Sequence, residues 1–473
     1  MFLNIAATVI GFWLFLNILD QLANYFSDKY RSLRETQQFT VTYGYFKLYS
    51  THFNGLFSRL RKIFGPFLSP WFAFGSFLGC SFMILSVLLL SFVIASELTI
   101  EQPTQLLTPI VPGVNLPYHQ LILYLVAILI SAIFHEAGHG LAAVNENVKV
   151  NGVGVFCFII YPAAFVDLCS EDLSTLTPRK RLRIYCAGIC HNFILAVIAV
   201  IFLILAPYIL SLFYSVSSGI YVMSVDTNSV LHNKVFPSDI IMQLNGCQTL
   251  SNSDYISCLR EIITISQPGY CVDQSYIDEH EEIGEHSEDC CKDNIDSDLC
   301  FRIDGYVPPY RCMHARIVSQ KQQCNSNTDC ESTSKCSVPV LPEEDRLIRI
   351  SLLGIAPSQD TLYLGTGYDL FYILSTSNYI PKSELCIPEL PTFVETFLSM
   401  IVSISGALAL LNSVPCYYLD GYWIFDTFLD AYCPFMFNKY NYRQMFCKIV
   451  YFSSTALLVV NLLLAIVKMA LRS

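Results

Sequence analysis

Residues 121–144 read LILYLVAILISAIFHEAGHGLAAV, an apolar run interrupted by a cluster of polar residues. Residues 121–133 are almost wholly apolar, and the whole stretch exceeds the roughly 20 residues that a helix needs to cross a bilayer. Two histidines and a glutamate follow within the same apolar segment. Ionisable groups at membrane depth are costly and usually functional. The stretch therefore predicts a membrane helix that carries chemistry.

The polar residues of this stretch form the motif H-E-x-x-H, at His135, Glu136 and His139. Positions four apart share one face of a helix, so both imidazoles can bind one metal ion, with the glutamate as general base. A catalytic zinc usually takes three protein ligands and leaves a fourth position for water. Asp420, at the end of a later apolar segment, is the best candidate for the third ligand, and Gly421 would allow a close backbone approach. The alternative is a helix-terminal aspartate that faces water.

A second polar cluster, Ala187-Gly188-Ile189-Cys190-His191-Asn192, opens another apolar segment. The carboxamide of Asn192 is suited to binding a developing oxyanion or a substrate backbone group. His191 is a further candidate for substrate contact or for a fourth ligand. The alternative for both residues is hydrogen bonding between membrane helices.

Composition places the motifs in a multi-span membrane protein. The chain has 473 residues, of which 53% are apolar and 14% charged, and its net charge of −11 argues against a nucleic-acid partner. The first apolar segment reads as a retained anchor, with a cleaved signal peptide as the alternative. Six spans are predicted, at about Phe2–Ala23, Pro70–Ile94, Leu121–Val144, Ile184–Tyr214, Phe393–Leu411 and Ile449–Ala470.

One further apolar stretch, Gly152–Val166, is too short and too rich in glycine and β-branched residues for a span. It could form a re-entrant β-hairpin, which is tolerated at membrane depth only under the cover of protein or a water-filled cavity. The overall expectation is an α-helical polytopic protein of about six spans with a separate β-rich domain.

Basic residues in two loops predict the orientation of these spans. The loops carry Lys29, Arg31, Arg34, Lys47, Arg59, Arg61 and Lys62 in one case and Arg179, Lys180, Arg181 and Arg183 in the other. The positive-inside rule places both loops in the cytosol, although such clusters could also bind lipid headgroups without setting topology. The predicted parts are an anchor (1–26), a basic cytosolic loop (27–69), a first catalytic membrane part (70–214), a lumenal domain (215–392) and a second catalytic membrane part (393–473).

Cysteines support a lumenal location for residues 215–392. Nine fall within Cys258–Cys336, with Cys247 before them and Cys386 after. Such density in a polar stretch is typical of disulfides in an oxidising compartment, whereas a zinc ribbon would show paired C-x-x-C motifs. An acidic run from Asp273 to Asp298 reads as a solvated loop, with calcium binding as the alternative. Strand-like runs on both sides predict a β-rich domain with a cysteine-rich insert at about 247–336.

Taken together, three motifs resemble the site-2 protease family of intramembrane metalloproteases. They are HEAGHG at His135–Gly140, AGICHN at Ala187–Asn192, and Asn412-Ser413-Val414-Pro415 leading to Leu419-Asp420-Gly421. The similarity covers nearly all of the chain and is greatest to animal-type members, which also carry a cysteine-rich insert. Many bacterial members have a second proline where this chain has Tyr417.

The resemblance implies that His135, His139 and Asp420 bind one zinc ion and that Glu136 is the general base. It implies that Asn192 contacts the substrate backbone or the oxyanion, and that the lumenal domain is similar to a PDZ module. It also implies substrates of one kind: membrane-anchored transcription factor precursors in the Golgi or endoplasmic reticulum. These are cut after a first lumenal cleavage, so that a cytosolic fragment is released in sterol and stress signalling.

Two other functions remain open at this point. A polytopic zinc transporter also needs histidines and an aspartate among its spans, but it does not need a glutamate between the histidines. An inactive homologue acting as a scaffold need not keep the complete set of motif residues. The set His135, Glu136, His139 and Asp420 is intact and favours the enzyme.

Overall fold

The computed structural model describes residues 2–36, 38–99, 116–280, 282–283, 290–291, 298–353, 360–433 and 440–472. The helices of these residues are α1 (Phe2–Phe26), α2 (Asp28–Glu35), α3 (Asn54–Thr99), α4 (Leu121–Asn145), α5 (Ser170–Thr175), α6 (Pro178–Tyr185), α7 (Ala187–Leu210), α8 (Asn252–Thr264), α9 (Gln274–Asp278), α10 (Ala315–Val318), α11 (Gly367–Ile373), α12 (Leu390–Ser413), α13 (Asp420–Tyr432) and α14 (Tyr440–Arg472).

The strands are β1 (Phe39–Thr42), β2 (Tyr45–Ser50), β3 (Val150–Phe158), β4 (Tyr161–Leu168), β5 (Tyr214–Val225), β6 (Ile240–Leu244), β7 (Cys247–Gln248), β8 (Gly269–Asp273), β9 (Glu282–Ile283), β10 (Asp298–Ile303), β11 (Tyr310–His314), β12 (Gln323–Cys324), β13 (Ser334–Pro339), β14 (Arg346–Leu353), β15 (Thr361–Gly365) and β16 (Leu374–Pro381).

The chain forms two compact units. The membrane unit comprises Met1–Ile204 and Glu395–Ser473, and the inserted unit comprises Leu205–Val394. Among the described residues, six helical stretches are long and apolar enough to cross a membrane: Ala7–Phe26, Asn54–Glu97, Tyr118–Asn145, Pro178–Leu210, Leu390–Ser413 and Tyr442–Met469. The prediction of a six-span membrane protein with a β-rich domain is therefore confirmed.

Residues 27–69 differ from the basic loop expected there. They contain α2, β1 and β2, and α3 begins at Asn54, sixteen residues before the expected start of that span. Pro66 and Pro70 lie inside α3, and each removes one backbone hydrogen bond. Burial of Leu68 and Phe72 in one cluster with residues of α4 favours the continued helix across both prolines.

The short apolar stretch after α4 forms a β-hairpin. Strands β3 and β4 pair antiparallel, with Val153 opposite Val166, and they complete a four-stranded sheet of order β1-β2-β3-β4. The indole N–H of Trp13 in α1 donates to the carbonyl of Ile159 in the hairpin turn, at 2.9 Å. The hairpin is thus joined to the first helix, and its depth in a bilayer stays a prediction.

The inserted unit contains two six-stranded sheets. The first has the order β15-β14-β6-β5-β16 with β7 beside β6, and its core packs Ile220, Ile241 and Ile348 with Tyr255 of α8. The second has the order β12-β8-β13-β10-β11-β9 and its own core around Phe301. The second sheet lies between α8 and β14 in the chain, so it is an insertion within the first.

The disulfide prediction is confirmed for ten cysteines of the inserted unit. The pairs are Cys247–Cys258, Cys271–Cys330, Cys290–Cys300, Cys291–Cys312 and Cys324–Cys336. Cys386 keeps a free thiol. Cys271, Cys324 and Cys330 lie close enough together for a metal ion, but each sulfur is already in a disulfide. The structure therefore does not support a zinc ribbon at these residues, and much of the acidic run lies outside the described residues.

We expect the variant Cys271→Ser/Cys330→Ser to lose stability in the inserted unit. This bridge joins residues 59 positions apart, and removing such a cross-link typically costs about 2–4 kcal/mol because the unfolded chain regains freedom. Limited proteolysis of the purified full chain, with fragments mapped to the inserted unit, measures the change. Cys386→Ser is the matched control and should behave as the wild type. Equal protease resistance of both variants would contradict the prediction.

Candidate active site

Two imidazoles meet on one face of α4 in the membrane unit. His135 and His139 are four residues apart, each is only 7% exposed, and their Nε2 atoms lie 3.2 Å apart. Helical periodicity explains this, since one turn brings residues i and i+4 into register. The apolar helix therefore presents two nitrogen ligands to a single point.

Asp420 joins these imidazoles from the other end of the membrane unit's sequence. Its Oδ2 lies 2.9 Å from Nε2 of His135 and 3.3 Å from Nε2 of His139, and its side chain is 23% exposed. It is the first residue of α13, directly after a chain reversal that follows α12. The three predicted ligands are thus brought together, with all three candidate ligand atoms within 4.8 Å of one another.

Gly421 is needed at this turn because the backbone of the preceding residues passes close to it. A Cβ at this position would lie 2.1 Å from the carbonyl oxygen of Val414 and 2.5 Å from that of Ser413. Only glycine lets the start of α13 pack this closely on the end of the α12 segment. The residue therefore fixes where Asp420 begins its helix, and a close approach of its backbone to a metal stays a prediction.

The three ligand atoms fit a metal ion in spacing and in surroundings. Their separations of 2.9–3.3 Å suit a tetrahedral zinc, in which bonds of about 2.0–2.1 Å place neighbouring ligand atoms roughly 3.3 Å apart. Gly188 of α7 faces them: a Cβ there would lie 2.4 Å from Nε2 of His139 and 2.6 Å from Nε2 of His135. The absence of a side chain at Gly188 leaves space beside the ligand atoms of His135 and His139.

Each imidazole is also held at its other ring nitrogen. Nδ1 of His139 donates to the carbonyl of Ile184, at 2.8 Å, and Nδ1 of His135 lies 3.1 Å from the side-chain amide of Asn192. Outer contacts of this kind orient metal-binding histidines and select which nitrogen faces the ion. Asn192 is fully buried. The structure therefore places this residue behind a candidate ligand.

Glu136 is held by the edge of the four-stranded sheet. Its Oε2 accepts the backbone N–H of Val166 in β4, at 3.0 Å. Glu136 is half-buried, whereas the two histidines His135 and His139 are buried. A carboxylate with one oxygen held by a backbone donor still has a second oxygen that can accept a hydrogen bond or a proton.

His191 lies outside the ligand group. Its Nδ1 donates to the carbonyl of Ala187 one turn earlier, at 2.8 Å, and its ring stacks on Phe72 of α3, with Trp71 at its edge. These contacts are those of a histidine between membrane helices. A substrate role of His191 stays a prediction.

Sequence reasoning missed three contributors to the site. Gly188 lies within the quoted AGICHN motif, and its spacing of four residues from Asn192 placed both on one face of α7. The carbonyl of Ile184 and the N–H of Val166 carry no side-chain signal, so only the folded backbone reveals them.

Two comparisons with known proteins show what the chain is similar to. The model of peptidase family M50 matches residues 123–341, which include α4, α7 and part of the inserted unit but not Asp420. The chain is also 26% identical over 444 residues to a protein of Arabidopsis thaliana described as a membrane-bound transcription factor site-2 protease homolog. The match covers 82% of this chain and 86% of that relative.

Fold and site thus define a multi-pass membrane protein with a group of two buried histidines and one half-buried aspartate that is suited to a metal ion. With the matches added, the chain is similar to peptidase family M50, the site-2 protease family, over residues 123–341, and to a site-2 protease homolog over most of its length. These similarities support a metal-dependent protease that works within the membrane.

We expect Gly188→Ala to reduce metal binding about 10–100-fold, the loss typical of disturbed outer contacts at metal sites. The added methyl group would meet both imidazoles at 2.4–2.6 Å, while alanine favours the helix by about 1 kcal/mol over glycine. Gly406→Ala is the matched control, because a Cβ there meets nothing within 4 Å. Metal analysis of the purified proteins tests this prediction. Equal metal content in both variants would show that the space at Gly188 is not needed for metal binding.

Proposed function

We propose that this protein is a zinc-dependent intramembrane endopeptidase that hydrolyses a peptide bond in or near the transmembrane helix of a membrane-anchored protein. The observation that carries the proposal is the convergence of His135, His139 and Asp420 beside Glu136 within the membrane unit. Two neutral nitrogens and one carboxylate oxygen form a common ligand set for catalytic zinc. Among the described residues this is the one candidate group whose ligand atoms are not held in disulfides, so we propose one ion per chain.

Zinc is the metal that the donor set favours, since nitrogen ligands on a tetrahedral scaffold suit it better than magnesium or calcium, which prefer oxygen. A bound zinc ion supplies Lewis-acid chemistry: it polarises the scissile carbonyl and makes water a better nucleophile at neutral pH. The chain's own residues must then orient the water and move its proton.

Glu136 is the proposed general base. Its carboxylate takes a proton from the attacking water and passes it to the nitrogen of the leaving amine, a transfer worth about 10²–10⁴-fold in rate. The hydrogen bond from Val166 N–H to Oε2 restrains one oxygen and supports the use of Oε1 for this transfer. The substrate helix must unwind locally, because intact helical hydrogen bonds protect its amides.

The proposed substrates are membrane-anchored transcription factor precursors, cut after a first lumenal cleavage by another protease. Support comes from the description of the Arabidopsis relative as a homolog of a membrane-bound transcription factor protease. Release of a cytosolic fragment would serve sterol and stress signalling. The lipid bilayer is part of this function, because the substrate's own helix reaches the site within it.

The proposed location is the Golgi or the endoplasmic reticulum, with the active site towards the cytosol and the inserted unit in the lumen. Basic residues between α1 and α3 and in α6 support this orientation. The five disulfides support an oxidising compartment for the inserted unit.

We also propose that the first sheet of the inserted unit, with α8 and α11, is PDZ-like. Its five main strands and two helices share one core, and the second sheet interrupts it after α8. This assignment supports a role in handling extended peptide segments, since PDZ domains bind peptides along a sheet edge.

We expect Glu136→Gln and Asp420→Ala to separate catalysis from metal binding. Glu136→Gln should lower cleavage of a tagged membrane substrate by about 10²–10⁴-fold, because the amide accepts no proton, while zinc content is retained. Asp420→Ala should lose zinc as well as activity. Zinc retained undiminished in Asp420→Ala would remove that residue from the ligand set. Zinc transport by the wild type without proteolysis would favour a transporter.

We expect Val230→Thr to introduce glycosylation and so test orientation. The change completes an N-x-T acceptor sequence that begins at Asn228, in an exposed part of the inserted unit where Val230 is 63% exposed. A lumenal unit should gain one glycan, seen as a mass shift that endoglycosidase removes. The control Val230→Thr/Asn228→Gln should show no shift. An unmodified Val230→Thr protein would place the unit on the other side of the membrane.

A further inference from the structure

Each of the two candidate histidine ligands has a hydrogen-bond partner at its Nδ1, the ring nitrogen farther from the ligand group. At His139 the partner of Nδ1 is the carbonyl of Ile184. A carbonyl oxygen only accepts, so Nδ1 carries the hydrogen and Nε2 keeps its lone pair. That lone pair belongs to the nitrogen nearest His135 and Asp420. His139 is therefore fixed in the form that binds a metal through Nε2.

The partner of Nδ1 at His135 is the amide of Asn192, whose orientation is open to two assignments. With the amide nitrogen towards the ring, Oδ1 of Asn192 is buried and has no partner among the described residues. Oxygen and nitrogen of an amide are told apart by their hydrogen bonds and not by shape. A half-turn of the amide gives Oδ1 a donor, namely Nδ1–H of His135.

The two orientations correspond to two states of His135. With the amide nitrogen donating to Nδ1, the ring hydrogen sits on Nε2, which then donates to Asp420 at 2.9 Å. In that state His135 and Asp420 are hydrogen-bonded to each other without a metal ion. With Oδ1 accepting from Nδ1–H, the lone pairs of both Nε2 atoms and the carboxylate of Asp420 converge on one point. Only this second state is ready for a metal ion.

We propose that Asn192 is a positioning residue: its Oδ1 accepts the Nδ1–H of His135 and holds that imidazole with Nε2 towards the metal. The inference rests on the proposed zinc site. Asn192 stands four residues after Gly188 on α7, so one face of this helix supplies both the space for the ligands and the acceptor behind one of them.

Burial separates this role from direct substrate contact. Asn192 has no exposed surface, so a substrate carbonyl reaches it only if α7 moves away from α4. An amide oxygen engaged with His135 also leaves only the amide hydrogens for any further partner. The expected oxyanion contact therefore uses the amide hydrogens of Asn192, whereas the positioning role uses its Oδ1.

The test uses Asn192→Leu and Asn192→Asp in the full chain purified in detergent. Leucine removes the acceptor, so zinc affinity in a chelator competition should fall about 10–100-fold. Aspartate keeps an acceptor and lacks the amide hydrogens, so both zinc affinity and kcat should stay within about tenfold of the wild type. Ser405→Ala is the control: it breaks the buried hydrogen bond to Ser131, one turn before His135, and should leave zinc affinity unchanged.

An oxyanion donor would give the opposite result. Asn192→Leu would then keep wild-type zinc affinity, and Asn192→Asp would lose about 10²–10³-fold in kcat with zinc bound. Either outcome overturns the positioning role, and the aspartate variant decides alone if the leucine variant does not fold. A wild-type protein that binds no zinc would instead refute the proposed function. Wild-type zinc binding with an unaffected Asn192→Leu would refute only this inference.

Discussion

The structure depends on the meeting of two imidazoles and one carboxylate inside an apolar helical unit. His135 and Asp420 are 285 positions apart in the chain, yet their side chains lie 2.9 Å apart. Buried polar and charged groups cost several kcal/mol unless each finds a partner. The helices must therefore hold these groups within reach of one another, and small residues at the contacts serve that purpose. Gly188 makes room for the imidazoles, and Gly421 lets α13 start against the end of α12.

The long separation is compatible with a compact membrane unit because the inserted unit closes on itself. Strand β5 enters it and strand β16 leaves it, and the two pair with Tyr214 opposite Pro381. The Nζ of Lys382 donates to the carbonyl of Ser211, and the hydroxyl of Tyr214 donates to that of Ile387. Entry and exit are thus neighbours, and a large domain can be accommodated without separating the helices that flank it in sequence.

Features that depend on local periodicity could be predicted from the sequence. Contacts between residues that only the folded chain brings together could not. Helical spacing alone joins His135 to His139, and hydropathy alone predicts six spans. Disulfide pairing was beyond reach: Cys271 stands opposite Cys336 in β8 and β13, yet each bonds to a different partner. The contact of Asn192 with His135 could not be predicted either. A polar residue on an apolar helix indicates that it has a hydrogen-bond partner, but not which residue that partner is. The start of α3 was misplaced because prolines in an apolar run do not end a helix that its neighbours support.

The small sheet is part of the site because of one hydrogen bond. Glu136 takes its donor from the backbone of β4, which is the edge strand next to α4. In a hairpin, a slip of one residue turns every side chain and every N–H to the opposite side. The turn between Phe158 and Tyr161 sets the register of β3 and β4, and Trp13 of α1 binds that turn at Ile159. The orientation of the proposed base is therefore coupled to the register of a hairpin and, through it, to the first helix of the chain.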